Sequence, residues 1–234
     1  MTSRSPLDHL VVKVILCGEY GVGKSSLFRR FVHDAFVESS DRASTLGFDH
    51  FEKKYTVDGR EVYLQLWDTG GLERVASVTA SYYKHADAAI LVFAYDAYES
   101  FNALANHLIE VLTGAQNAKL FLCGNKIDTL NRSSAAIGPS DEDVQAFYRE
   151  NQINERENLF HEMYRTSCKT GDHVHEMFAD IARRMALLSA PPRPSVDYFQ
   201  LRRGASVERG QKAQTACCSG GTATPDDLTQ SPAR

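Results

Sequence analysis

The chain has 234 residues, 43% hydrophobic and 24% charged, with a formal net charge of −4 at pH 7. That length fits one domain with a tail or two small domains, and the composition is that of a globular protein with a sizeable core. The charge balance gives no hint of a nucleic-acid-binding surface, no run approaches the roughly eighteen apolar residues of a spanning helix, and Met1-Thr2-Ser3-Arg4-Ser5-Pro6 has neither the apolar core of a signal peptide nor a second-position glycine for myristoylation.

His9 to Cys17 reads as a buried strand and residues 23–33 as an amphipathic helix. Between them runs Gly18-Glu19-Tyr20-Gly21-Val22-Gly23-Lys24-Ser25, a G-x-x-x-x-G-K-[ST] pattern in the strand–turn–helix setting that makes it a phosphate cradle. Glycines let backbone N–H groups turn inward and approach phosphates closely, and the helix N-terminus adds the positive end of its dipole. The pattern predicts that Gly21, Val22, Gly23, Lys24, Ser25 and Ser26 bind the phosphates of a nucleotide. Lys24 supplies a point charge to the β/γ-phosphates and the Ser25 hydroxyl a ligand to Mg²⁺. A tight turn with a solvated Lys is the bland alternative, and it leaves the paired Lys and Ser unexplained.

Val37 to Thr45 is polar, without a hydrophobic period, and is expected to be a mobile loop. Phe48 to Val57 and Glu61 to Trp67 read as two strands joined by Asp58-Gly59, a hairpin signal, and the second runs into the glycine-bearing loop Asp68-Thr69-Gly70-Gly71-Leu72-Glu73-Arg74. Ala88 to Tyr95 is a continuous apolar run, as in a central parallel strand covered on both faces. Phe101, Leu104, Leu108, Ile109 and Leu112 repeat at helical spacing within 98–113, and Lys119 to Gly124 is another buried strand. Asp141 to Asn151 reads as a helix with an acidic first turn, His161 to Thr166 as a strand of weak alternation, and Asp172 to Leu188 as a final helix. Strands alternating with helices predict an α/β fold: a mostly parallel six-stranded sheet with one antiparallel edge strand and helices on both faces. The expected organisation is a short extension at 1–8, one domain at 9–188 and a disordered tail at 189–234, rich in Gly, Ser, Thr, Ala, Gln and charge. Cys17 and Cys123 end apolar runs and read as inert packing; with no C-x-x-C spacing, the five cysteines point to reduced thiols.

In open sheets of this kind ligands lie beyond the carboxyl ends of the strands, so the loops after Cys17, Trp67 and Cys123 are expected to converge. Asp68 at a strand end is placed to hold Mg²⁺ through water. Asn125-Lys126-Ile127-Asp128 reads either as a polar turn or as a base-recognition segment, in which Asp128 accepts both N1–H and the 2-amino group of guanine, a pairing adenine cannot offer. Ser167-Cys168-Lys169, one element later, is placed to back the same base with its N–H groups.

The order and spacing of these pieces resemble the Ras superfamily of small GTPases, and within it the Rab branch, over residues 8–188. The resemblance also rests on Ser44-Thr45-Leu46-Gly47-Phe48-Asp49, Leu66-Trp67-Asp68-Thr69-Gly70-Gly71, Ser81-Tyr82-Tyr83-Lys84 and Thr166-Ser167-Cys168-Lys169-Thr170-Gly171. It implies a monomeric, single P-loop G domain: a Mg²⁺-dependent GTP/GDP switch that recruits effectors in vesicle trafficking from the cytoplasm or the cytosolic face of membranes. An exchange factor and a GTPase-activating protein are the further partners it implies. By resemblance, Thr45 ligates Mg²⁺ in the GTP state, Gly71 senses the γ-phosphate through its N–H, and Phe36 stacks on guanine. Trp67 and Tyr82 fall on two positions of the aromatic trio that Rab proteins present to effectors, and His50 stands where the third is usually Phe; core packing is the other reading of Trp67.

Two departures bear on chemistry and membrane. The water-orienting Gln expected after Gly71 is Leu72, and the third phosphate-loop position, often small, is Tyr20, in the path of an incoming arginine finger. Slow hydrolysis is therefore expected, with a GTP-binding scaffold of negligible turnover as the alternative. Cys217-Cys218 is a pair suited to lipidation, but sixteen residues follow it and no C-a-a-X box ends the chain. Palmitoylation of Cys217-Cys218, a terminus from alternative splicing, and no lipid at all stand open. A P-loop kinase of small substrates is the competing class, disfavoured by the guanine-type tetrapeptide.

Overall fold

The computed structural model describes residues 9–37, 49–68, 82–130, 138–154 and 157–189. Thr45, Gly71, Leu72 and the tail with Cys217 and Cys218 lie outside the described residues, so the roles read for them rest on sequence.

Six strands form one sheet in the order β2-β3-β1-β4-β5-β8. They are β1 His9–Cys17, β2 Asp49–Val57, β3 Arg60–Asp68, β4 Ala88–Ala94, β5 Lys119–Asn125 and β8 Phe160–Thr166. Every pairing is parallel except β2 with β3, which makes the antiparallel edge expected from the hairpin. The turn is tight because Asp58 (φ 49) and Gly59 (φ 80) both take the left-handed conformation, as a two-residue hairpin of primed type requires.

β4 shows why its sequence has no polar positions. Ala88, Ile90, Val92 and Ala94 face one core with Leu27 and Phe31 of helix α1 (Lys24–His33) and Phe178 and Ile181 of helix α5 (Val174–Leu188). Ala89, Leu91 and Phe93 face the other, with Leu104 and Val111 of helix α3 (Leu104–Gly114) and Val144 of helix α4 (Asp141–Glu150). A strand pleated between two apolar layers must be apolar at every position. Helix α4 is entered through a capping box in which Ser140 accepts from the Asp143 N–H and the Asp143 carboxylate accepts from the Ser140 N–H.

Two sequence expectations need correction, and one element went unread. The helix read over 98–113 is two, α2 Tyr98–Asn102 and α3, meeting at Ala103 (φ −73, ψ −12). Its buried stripe is Phe101, Leu104, Leu108 and Val111, continuous in helical phase, whereas Ile109 is 63% exposed because it lies about 100° round the helix from Leu108. A small two-stranded sheet, β6 Gln152–Asn154 with β7 Glu157–Asn158, escaped notice because strands of two or three residues carry no readable period.

Candidate guanine-nucleotide site

The register aligns Ile15 of β1 with Trp67 of β3, so the glycine loop and Asp68 leave the sheet at the same carboxyl edge. β4 pairs with β1 and β5 with β4, and the Asn125 segment ends on that edge too. The expected convergence of loops is met.

Within the glycine loop the backbone leaves no choice of residue at two positions. A Cβ on Gly18 (φ 140) would lie 2.2 Å from the Val92 carbonyl oxygen, and one on Gly23 (φ 104) 2.3 Å from Asn125 Nδ2. Lys24 is buried, its ammonium donating to the Gly18 carbonyl at 2.7 Å and the Glu19 carbonyl at 3.0 Å, so it spans the loop from inside. Ser25 stands in the first turn of α1, and Tyr20 is 64% exposed on the loop's outer side. Burial, only partly offset by the nearby Lys24 charge, pushes the Cys17 thiol up to about 12, which keeps it neutral and inert as expected; Cys123 is likewise raised to about 12.

Beside the loop lies a cavity of about 190 Å³. Gly23 and Ser26 form its phosphate-loop wall, Phe36 a second, Asn125, Lys126 and Asp128 a third, and Cys168 and Lys169 a fourth. Sequence reasoning had named all eight; it missed Thr129, which also lines the cavity and whose hydroxyl donates to the Lys126 carbonyl at 2.6 Å. Ser167 donates to Asp128 Oδ1 at 2.6 Å, holding the carboxylate in place. Lys126 (φ 66) turns the chain sharply after β5, and its ammonium meets both carboxylate oxygens of Asp96 at 3.0 Å.

Asn125 joins these walls. Its Nδ2 donates to the Val22 carbonyl of the glycine loop at 2.8 Å, and its Oδ1 accepts from the Cys168 N–H at 3.3 Å and the Thr166 hydroxyl at 3.3 Å. Arg30 provides a second brace that the sequence reading missed: its guanidinium donates to the Cys168 carbonyl at 2.8 Å, the Lys169 carbonyl at 3.0 Å and the Asp34 carbonyl at 2.7 Å. The only signal of it in sequence is the i, i+4 spacing of Arg30 and Asp34.

The donor set suits a nucleotide with its metal. The cavity offers a half-buried carboxylate for a base edge and an aromatic ring for its face, next to a loop in which Gly18 and Gly23 leave no room for a side chain. Ser25 and the buried Asp68 supply hard oxygen donors of the kind Mg²⁺ takes, at neighbouring loop ends. Among the described residues no cluster of three or more His, Cys, Asp or Glu side chains forms an alternative metal site.

The aromatic trio is placed less simply. Trp67 is half-buried, stacked on His50 with ring centroids 4.6 Å apart and an interplanar angle of 16°, and the Lys13 ammonium lies 4.9 Å from its ring. Tyr82 corrects the reading of it as a presented ring. It is 3% exposed, accepts from the Leu16 N–H at 3.0 Å and donates to the Trp67 carbonyl at 2.7 Å. Desolvation raises its phenol well above the usual range, so it is a neutral tie between β1 and β3.

Comparisons with known proteins point to one family. The model of the Ras family matches residues 13–187. The chain is 36% identical to Ras-related protein Rab-4A of Mus musculus over 185 residues, 79% of this chain and 78% of the relative. It is 35% identical to Ras-related protein Rab-30 of Homo sapiens over 174 residues (74% and 79%), and 36% identical to Ras-related protein Rab-37 of Mus musculus over 216 residues (92% and 89%). With a family match over most of its length and Rab relatives above a third identity, the chain belongs to the Ras family of small GTPases, in its Rab-like branch.

Proposed function

We propose that this protein is a guanine-nucleotide switch that recruits effectors in vesicle trafficking and hydrolyses GTP slowly. The observation that carries the reading is the Asn125 side chain, which ties the glycine loop at Val22 to the base-side loop at Cys168 around one cavity. A phosphate cradle and a base pocket in that fixed relation suit a purine nucleotide, and the Asp128 carboxylate selects guanine by accepting from N1–H and the 2-amino group together. Ser25, Thr45 and Asp68 are the proposed Mg²⁺ ligands; the metal, when bound, neutralises charge on the β- and γ-phosphates. Thr45 and Gly71 would be ordered by the γ-phosphate, giving effectors a surface present in only one state. His50 and Trp67 carry the effector-facing role, without Tyr82.

The nucleotide released from protein purified without added ligand, separated by ion-exchange chromatography, tests the assignment. GTP or GDP is expected, with GTP in excess if hydrolysis is slow. ATP or ADP would overturn the base-pocket reading and favour a kinase.

No described helix is long and apolar enough to cross a membrane. Peripheral association through lipid on Cys217 and Cys218 belongs to the same proposal. Expressed protein is expected to partition into detergent, and the Cys217→Ser, Cys218→Ser variant to remain in the aqueous phase. Equal partitioning of the two would remove these cysteines from the anchoring role.

A further inference from the structure

The glycine loop carries an acid where it must receive an anion. Glu19, its second residue, folds its carboxylate back onto the loop, so that Oε1 accepts from the Tyr20 N–H at 3.1 Å. The other oxygen, Oε2, lies 3.6 Å from Nε2 of His107 on helix α3. On its far side the same imidazole meets a second carboxylate, with Nδ1 3.4 Å from Glu110 Oε2. The His107 side chain is only 13% exposed, and its Nε2 is buried with no hydrogen-bond partner among the described residues.

The surroundings of the ring are otherwise defined. Tyr83, from the turn before β4, donates to Glu110 Oε2 at 3.0 Å; burial, reinforced by the charge of Glu110, holds its phenol neutral. Cys17, at the end of β1, lies close to Tyr83 and Lys24 and is held neutral by burial. Lys24 reaches the Glu19 carbonyl at 3.0 Å. His107 therefore faces Glu19 from the loop and Glu110 from its own helix, with Tyr83, Cys17 and Lys24 behind them. A partly buried imidazole between two carboxylates has a charge state that matters to both, and one of them sits on the phosphate loop.

We infer that His107 is a positioning residue for the phosphate loop. When protonated it pairs with Glu19, neutralises the acid that would repel the incoming phosphates, and keeps the loop against helix α3. When neutral it leaves a bare carboxylate on the loop, and nucleotide is released faster. The sign follows from Coulomb's law: a negative charge beside the phosphates weakens binding, and a cation paired with it removes that penalty. This inference rests on the guanine-nucleotide reading.

The test is stopped-flow release of a fluorescent GDP from the full chain in magnesium buffer, across about pH 5.5 to 8, where an imidazole ordinarily titrates. Release from the wild type is expected to accelerate roughly three- to tenfold as pH rises. Glu19→Gln should release slowly at every pH, His107→Gln fast at every pH, and the double variant should behave as Glu19→Gln. Parallel pH profiles in all four proteins overturn the inference. The backbone amide signals of Tyr20 and Gly21 in an isotope-labelled sample give a readout that needs no ligand. They are expected to shift over the same pH range in the wild type and to stay still in His107→Gln. If the chain takes up no GDP while the amides still shift, the guanine-nucleotide reading fails and the pH-set placement of the loop stands. Amides that stay still in the wild type overturn the placement whatever the chain binds.

Discussion

Asp128→Ala is expected to weaken GDP binding by about two to four orders of magnitude. A hydrogen bond to a charged group contributes about 1.5–3 kcal/mol, and the carboxylate is proposed to accept two from guanine, so their loss corresponds to about 3–6 kcal/mol. The fold should survive, because Asp128 sits on a short 3₁₀ turn (Ile127–Thr129) and is tied mainly by the Ser167 hydroxyl. Asp128→Asn sharpens the test. Its amide carbonyl still accepts from N1–H, but its NH₂ now faces the 2-amino group of guanine, donor against donor. Xanthine carries a carbonyl at that position, so the variant is expected to prefer xanthosine diphosphate over GDP. Titration calorimetry against both ligands measures this; wild-type GDP affinity in Asp128→Ala would remove the carboxylate from base recognition.

Leu72→Gln is expected to accelerate single-turnover GTP hydrolysis by about tenfold or more. Leu72 offers no donor or acceptor to an attacking water, whereas a Gln at the position after Gly71 would orient it, and each 1.36 kcal/mol of transition-state stabilisation is about tenfold in rate. The wild-type rate should be correspondingly low and the GTP state long-lived. Tyr20 bears on the same step: it is 64% exposed, so its ring is part of the loop's outer surface and not of the core. An arginine finger would have to pass it, and Tyr20→Gly in the Leu72→Gln background is therefore the protein in which an activating partner should gain most. Equal hydrolysis by the wild type and Leu72→Gln would show that something other than the missing Gln sets the rate.

What could be read from sequence follows the range of the interactions. The central strand was legible because burial on both faces leaves a mark at every residue from Ala88 to Ala94, and the hairpin because Asp58-Gly59 is a local conformational demand. Three of the cavity walls were legible because each is a short motif following a strand, whereas Phe36 came from the family resemblance alone. The braces between the walls were not. Asn125 reaches Val22 across 103 residues and Arg30 reaches Cys168 across 138, and no local pattern encodes such pairings. Tyr82 marks a different limit. Its position matched an effector contact by resemblance, yet its hydroxyl is taken up by Leu16 and Trp67, and an aromatic side chain in a sequence does not say which way it points.

The single Asn125 amide has a mechanical consequence. Its two ends grip segments that would hold opposite ends of a nucleotide, the phosphates at Val22 and the base at Cys168. Turning that amide would slacken both grips in one motion, so a catalyst of nucleotide exchange need not pry at the base at all. Leverage applied to the glycine loop alone would be transmitted through one side chain, and the ligand would leave as a unit instead of peeling away from one end.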